Sequence, residues 1–336
     1  MDFDDWEPVA MDALDAYPRR PCAEWLWNGY LMPGDITLLT SFWKTGKTTL
    51  LAGLLQCLGP GAPFLGRGTR PARVWVVSEE SSDQWRERVR LLPGGPHVQL
   101  VGRPFHGRPT PEQWDRLIGR ALDDGPDLFV VDPLASFLTS RGESDASALL
   151  DALQPLRRLT VRRTAVLLLH HPRKKASAVG SGARGSGALL GFVDSTMELT
   201  RYSTMASDAH RRLIRAQSRR IDTPDRLAYE WDKTTGAFAV TADPRHRQFE
   251  ENWPSILGIF RDRAGAISLK EIAACWPPDG DKPSLSTLYL WVGLAHDRQF
   301  LQRVGGGTSK SPWRYSLDRD YGDHTGEWPP PQDVRR

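Results

Sequence analysis

The run Ser41-Phe42-Trp43-Lys44-Thr45-Gly46-Lys47-Thr48 sets a lysine and a threonine directly behind a glycine, after an apolar run and before an apolar helical pattern. Its spacing matches the phosphate-binding loop GxxxxGKS/T at every fixed position but the first, where Ser41 stands in place of glycine. The chemistry expected of such a turn is capture of a nucleoside triphosphate. Backbone N–H groups of the loop and of the following helix N-terminus point at phosphate oxygens. Lys47 reaches the β- and γ-phosphates, the Thr48 hydroxyl ligates Mg²⁺, and Gly46 lets the backbone come close. Ser41, Phe42, Trp43, Lys44, Thr45, Gly46, Lys47, Thr48 and Thr49 form the candidate binding set for ATP. Lys44 either adds positive charge to the site or points into solvent.

Three strand ends supply further candidates. Asp132 follows the apolar run 128–131, and an acid at the C-terminal end of a buried parallel strand lies on the rim where such sheets bind ligands. There it would hold Mg²⁺; the competing reading is a helix N-cap before Pro133. Glu79 and Glu80 follow the run 73–77, where a carboxylate polarises the attacking water as a general base, Glu79 preferred over Glu80. The same acids also suit the first turn of a helix capped by Ser81, Ser82 or Asp83. His170 and His171 follow the run 165–169, placed either to sense a terminal phosphate or to serve as hydrogen-bonded structural histidines. Adjacent strand residues face opposite sides, which argues against a metal pair.

The elements that must position these residues form an alternating series. Apolar runs at 35–40, 73–77, 128–131 and 165–169 alternate with helical patterns at 47–58, 83–91 and 147–159. Strands apolar on both faces and interleaved with helices predict an α/β fold with a mostly parallel sheet covered on both sides. Residues 211–216 and 227–240 read as antiparallel strands, the latter turning at Thr234-Thr235-Gly236, and predict a hairpin on the sheet edge. The expected division is an acidic extension (1–20), a core (21–240), a polar, proline-containing linker (241–253), a helix-helix-helix-hairpin unit (254–317) and a disordered tail (318–336) holding Pro329-Pro330-Pro331.

The order of motifs resembles the RepA-like AAA ATPases, proteins of RecA fold related to hexameric plasmid replicative helicases. It is carried by the phosphate loop, Glu79, Asp132 and His170-His171, then Pro172-Arg173-Lys174, the segment Arg184-Gly185-Ser186-Gly187-Ala188-Leu189 and Asp194. Glu24-Trp25-Leu26 and Pro33-Gly34-Asp35 before the first strand also fit the family. The resemblance spans residues 24–240 and implies a RecA-like P-loop core that hydrolyses ATP with Mg²⁺ at the subunit interfaces of a homo-oligomeric ring, usually a hexamer. By position it gives Lys47, Thr48, Glu79 and Asp132 the roles above and matches His171 to the family histidine. RecA and DnaB relatives reach the neighbour's γ-phosphate with a Lys-x-Arg pair on a late strand. Here Gln217-Ser218-Arg219 occupies that place, so the trans finger rests on Arg219, with Arg220 or a merely solvated charge cluster as alternatives. Ser41 and Gln217 depart from the family pattern and leave open slow turnover, or binding without hydrolysis.

Two regions are candidates for nucleic acid. The loop 172–191 combines small residues with Arg173, Lys174, Lys175 and Arg184, which suits phosphate contact; in RecA-like rings this loop faces the central channel. Residues 254–317 resemble a winged helix-turn-helix. Its third helix offers Ser284, Ser286, Thr287 and Tyr289 to a major groove, and its wing adds Lys310 and Arg314. Interleaved acids (Asp279, Asp281, Asp297) also fit a protein-docking module. The expectation is an ATP-driven DNA-handling protein, helicase-like or a loader for a plasmid, phage or other mobile element. The alternatives are an ATP-switched regulator without motor activity and a non-hydrolysing scaffold.

Composition bounds these readings without choosing among them. The chain has 336 residues, 40% hydrophobic and 25% charged, with a formal net charge of +3 that permits nucleic-acid contact but does not demand it. Cys22, Cys57 and Cys275 are scattered, which argues against a disulfide framework or zinc site and for a reducing, cytoplasmic home. The acidic start MDFDDWEPVA lacks a signal-peptide pattern, and no apolar run approaches membrane-spanning length, so no membrane partner is expected.

Overall fold

Strands with both faces covered must send alternate side chains into separate apolar layers. The computed structural model, which describes residues 10–13, 25–138, 146–171, 187–203, 205–263, 265–278, 282–308 and 311–318, shows this division strand by strand. β1 (Ile36–Thr40), β2 (Val74–Ser78), β3 (Val98–Gly102), β4 (Leu128–Asp132), β5 (Ala165–His170) and β6 (Ser195–Arg201) run parallel in the order β3-β2-β4-β5-β1-β6. Val74, Val76, Leu128, Val130, Leu167 and Leu169 enter one layer. Their neighbours Trp75, Val77, Phe129, Val131, Val166 and Leu168 enter the other.

Helices close each layer. α1 (Lys47–Leu58) and α2 (Ser82–Val89) cover the first, α1 through Leu50, Leu51, Leu54, Leu55 and Leu58, and α2 through Trp85. α3 (Pro111–Asp124), α4 (Ala146–Val161) and α5 (Gly187–Phe192) cover the second. α2 and α3 start with full capping boxes, Ser81 with Gln84 and Thr110 with Gln113, each satisfying otherwise orphaned N–H groups. Beyond β6 the sheet continues antiparallel through β7 (Arg211–Ser218), β8 (Arg226–Trp231) and β9 (Phe238–Thr241). This is the α/β architecture expected from the alternating runs: a mostly parallel sheet flanked by helices, with an antiparallel edge. β3, α3 and β6 carried no continuous apolar run. β3 is a partly exposed edge strand, and β6 alternates buried Ser195, Met197 and Leu199 with half-buried Thr196, Glu198 and Thr200.

The chain divides into two compact units, Met1–Thr241 and Ala242–Arg336. The second begins with α6 (Pro244–Arg261), which corrects the linker expected at 241–253 and the helix start expected near Ile256. Asp243 caps α6 by accepting from Arg245 N, and Pro244 sits at its first turn, where its missing N–H costs nothing. The polar look of this stretch belongs to its outer face, because Phe249, Trp253, Ile256 and Phe260 recur at helical spacing and are buried. β10 (Ile267–Ser268), α7 (Leu269–Ala274), α8 (Leu285–Asp297), β11 (Leu301–Val304) and β12 (Arg314–Leu317) follow, with a three-stranded antiparallel sheet ordered β10-β12-β11. Ser268 and Glu271 form the expected capping box.

The expected acidic extension lies largely, and the tail almost wholly, outside the described residues, as do Arg173, Lys174, Lys175, Arg184 and Lys310. Among the described residues no helix is long and apolar enough to cross a membrane, and Cys57 and Cys275 are free.

β5 lies between β1 and β4 and sets the spacing of the two strands that end at the phosphate loop and at Asp132. Its central Leu168 is fully buried. Leu168→Ala is expected to destabilise the fold by about 2–5 kcal/mol, read by chemical denaturation. A loss under about 1 kcal/mol would mean that the layer collapses around the deletion.

Candidate active site

All six strands of the parallel set point the same way, so their C-terminal ends share one edge. The loop after β1, the Glu79-Glu80 pair after β2, Asp132 at the end of β4 and His171 after β5 therefore emerge side by side. They line one cleft of about 330 Å³ together with Trp43, Lys44, Thr45, Gly46, Lys47, Thr48, Thr49, Arg88 and Pro133.

The loop is a tight turn. Thr45 donates to the Phe42 carbonyl through its N–H at 3.3 Å and its hydroxyl at 2.8 Å. Gly46 takes φ 108°, a conformation that a side chain makes costly, and caps α1. Ser41 is not among the left-handed residues, so this loop does not require the glycine of the common pattern at its first position. The Ser41 hydroxyl donates to the Phe42 carbonyl and accepts from Lys47 Nζ, both at 2.9 Å. Lys47 also donates to the Ser41 carbonyl at 3.3 Å and to His171 Nδ1 at 2.9 Å. Burial pushes the Lys47 ammonium down to about 8, against the opposing pull of Asp132. His171 is lowered by burial and by the adjacent lysine.

Thr48 Oγ1 donates to Asp132 Oδ2 at 3.0 Å, so the two candidate magnesium ligands already meet. Burial raises the Asp132 carboxyl to about 6 despite the Thr48 hydrogen bond, with Glu80 adding to the rise. A hydroxyl and a carboxylate are hard oxygen donors of the kind Mg²⁺ takes alongside phosphate oxygens, so the residues present fit that ion.

The two glutamates have different surroundings. Glu80 is gripped by Arg88 of α2. Glu79 accepts from the Ser136 hydroxyl; its N–H donates to the Asp132 carbonyl at 3.0 Å, and Arg103 Nε donates to its own carbonyl at 3.0 Å. Phe42 is half exposed and Trp43 is exposed, with Lys44 Nζ over its ring at 4.1 Å.

Arg219 is not part of this cleft. β7 runs antiparallel to β6, so its end lies at the opposite sheet edge, on the order of 15 Å from the loop by strand rise. There Arg219 pairs with Asp194 at 3.5 Å and Arg220 pairs with Asp35 at 2.8 Å. Four residues of the cleft's neighbourhood were not singled out from the sequence: Arg88, Arg103, Ser136 and Arg212. Arg212 Nε donates to the Thr45 carbonyl at 2.6 Å and ties β7 to the loop. No local pattern marks Arg212 within the arginine-rich strand. Arg88 does carry a signal, since it falls one helical turn after the apolar Trp85 in the helix behind the acidic pair.

A family profile described as an AAA domain matches residues 4–177, just over half of the chain, and the chain belongs to that family. Together with the loop and the strand-end acids, this defines a P-loop ATPase with an α/β core. Similar solved structures include the flagellar accessory protein FlaH from Methanocaldococcus jannaschii, 10% identical, with a TM-score of 0.44 over 63% of this chain and 91% of that one. Another is the RadB recombinase, 14% identical, with a TM-score of 0.43 over 63% of this chain and 93% of that one. No curated protein matches the sequence.

Triphosphate favours the charged lysine, and Mg²⁺ requires the ionised carboxylate. Nucleotide affinity is therefore expected to fall as pH rises through about 8, being about tenfold weaker at pH 9 than at pH 7. Magnesium dependence is expected to weaken as pH drops through about 6. Titrations with a fluorescent ATP analogue across this range check both limbs, and an affinity that stays flat above neutrality would contradict the first.

Proposed function

We infer that this chain is a Mg²⁺-dependent ATP hydrolase that works as a cytoplasmic homo-oligomer on DNA. One observation carries the reading: Lys47, Thr48, Glu79, Asp132 and His171, which come from four separate stretches of sequence, line a single cleft at the strand ends. Backbone N–H groups of the loop and Lys47 hold the triphosphate, and Thr48 and Asp132 hold Mg²⁺. The metal, when bound, neutralises charge on the β- and γ-phosphates. Glu79 accepts a proton from the attacking water, its orientation supported by Ser136 and Arg103. Glu80 is the weaker choice for that base because Arg88 occupies its carboxylate. His171 trades its contact with Lys47 for the terminal phosphate.

Association is supported by Arg219, whose side chain is 68% exposed at the sheet edge away from its own cleft, so a phosphate that it reached would lie in another copy's cleft. A head-to-tail ring, hexameric as in the family resembled, gives each cleft a neighbour's arginine. In the C-terminal unit the succession helix, short strand, helix, helix, hairpin supports a winged helix, with α8 as the groove-reading element.

One observation favours a second reading, an ATP-driven switch whose C-terminal unit docks protein. α8 contains no lysine or arginine, and its exposed positions include Leu285, Tyr289 and Leu290. The Ser286 and Thr287 hydroxyls are engaged by Ser284. Arg314 is held by the Ala266 carbonyl and Glu271.

Lys47→Ala is expected to abolish measurable nucleotide binding. Glu79→Gln is expected to keep binding while turnover drops about 10²–10⁴-fold, whereas Glu80→Gln falls far less. Turnover should rise with single- or double-stranded DNA. Absence of stimulation by either favours the switch, and full turnover in Glu79→Gln removes Glu79 from the chemistry.

A further inference from the structure

Three carboxylates line the phosphate cleft, Glu79, Glu80 and Asp132, and three cationic side chains balance them, Lys44, Lys47 and Arg88. Arg88 comes from the last turn of α2. It follows Trp85 by one turn of α2, and its guanidinium stands 5.8 Å from that ring. Its fork is closed on Glu80: Nε donates to Oε2 at 3.1 Å, and Nη2 donates to Oε2 at 2.6 Å and also to Oε1. The pair is largely sheltered, with 30% of the Arg88 side chain and 26% of the Glu80 side chain exposed. Both groups act on the charge of Asp132, with opposite sign.

A bidentate arginine–carboxylate pair fixes its carboxylate in direction as well as charge. Removing one member of a sheltered pair leaves an uncompensated charge and costs more than removing both. Without Arg88 the cleft would hold three carboxylates against two cations, with Glu80 free to turn toward Thr48 and Asp132. An incoming triphosphate would then meet a bare anion at the wall of its own site.

Resting on the assignment of this cleft to MgATP, we propose that Arg88 is a positioning residue for nucleotide binding, which neutralises Glu80 and holds it away from the magnesium ligands. The pair is a charge-balanced wall. It leaves Glu79 as the one strand-end glutamate of β2 available to water.

The test compares the full chain with Arg88→Met and with Arg88→Met/Glu80→Gln. It measures binding of a fluorescent ATP analogue with Mg²⁺, steady-state turnover, and thermal unfolding without nucleotide. Arg88→Met is expected to raise both Kd and KM about tenfold while kcat stays within about threefold, because ground-state binding is what the bare carboxylate opposes. The double variant is expected to return to within about threefold of wild-type affinity. A double variant as weak as the single one would overturn the proposal, since Arg88 would then hold phosphate itself. Unchanged binding in Arg88→Met would overturn it as well. Should Arg88→Met fail to fold, the double variant alone decides, because charge balance requires it to bind like wild type. A wild-type chain that does not bind MgATP would refute the site assignment itself, and that result is visible before any variant is compared.

Discussion

A lysine ammonium buried at the rim of a parallel sheet is the constraint from which the rest of the structure follows. Lys47 is 5% exposed and sits where burial disfavours its charge, so the fold must supply acceptors. It does so with Ser41 from its own loop and with His171, which directly follows β5, the strand paired with β1. None of these partners carries a full negative charge. A nucleoside triphosphate offers the charge they lack, and the same burial that weakens the ammonium strengthens its attraction to an anion.

Holding the turn in this shape takes more than the loop itself. Gly46 permits the left-handed step, Arg212 anchors the Thr45 carbonyl from β7, and Arg103 secures the carbonyl of Glu79. The antiparallel edge is therefore part of the site, since β7 carries one of the clamps on the loop. β5 separates the strands of the loop and of Asp132, yet Thr48 bridges that gap to reach Oδ2 because α1 starts over the strand ends.

Much of this was legible in the sequence because the central strands are buried on both faces and therefore read as unbroken apolar runs. The run before Lys47 and the leucines of α1 left little ambiguity, and the acids behind the runs marked the rim. β3 and β6 were not legible, since an edge strand and a half-buried one break the apolar run with Gln99 or with threonines. The long α6 was hidden by its arginines and glutamates, although Phe249, Trp253 and Ile256 hold helical spacing. Ser41 looked like a defect when judged by residue type; its backbone angle and its bond to Lys47 are tertiary facts. Arg212 gave no signal, because which arginine of a strand meets a distant loop depends on register alone.

Selective acylation of amines gives the most direct test of the central claim, that the turn at Lys47 wraps a magnesium-bound triphosphate. Near pH 8 an amine-reactive reagent should modify Lys47 readily for a buried lysine, because much of it is then uncharged, and MgATP should protect it while leaving surface lysines such as Lys233 unchanged. Modification of Lys47 that proceeds equally with and without MgATP, read by peptide mass spectrometry, would contradict the account.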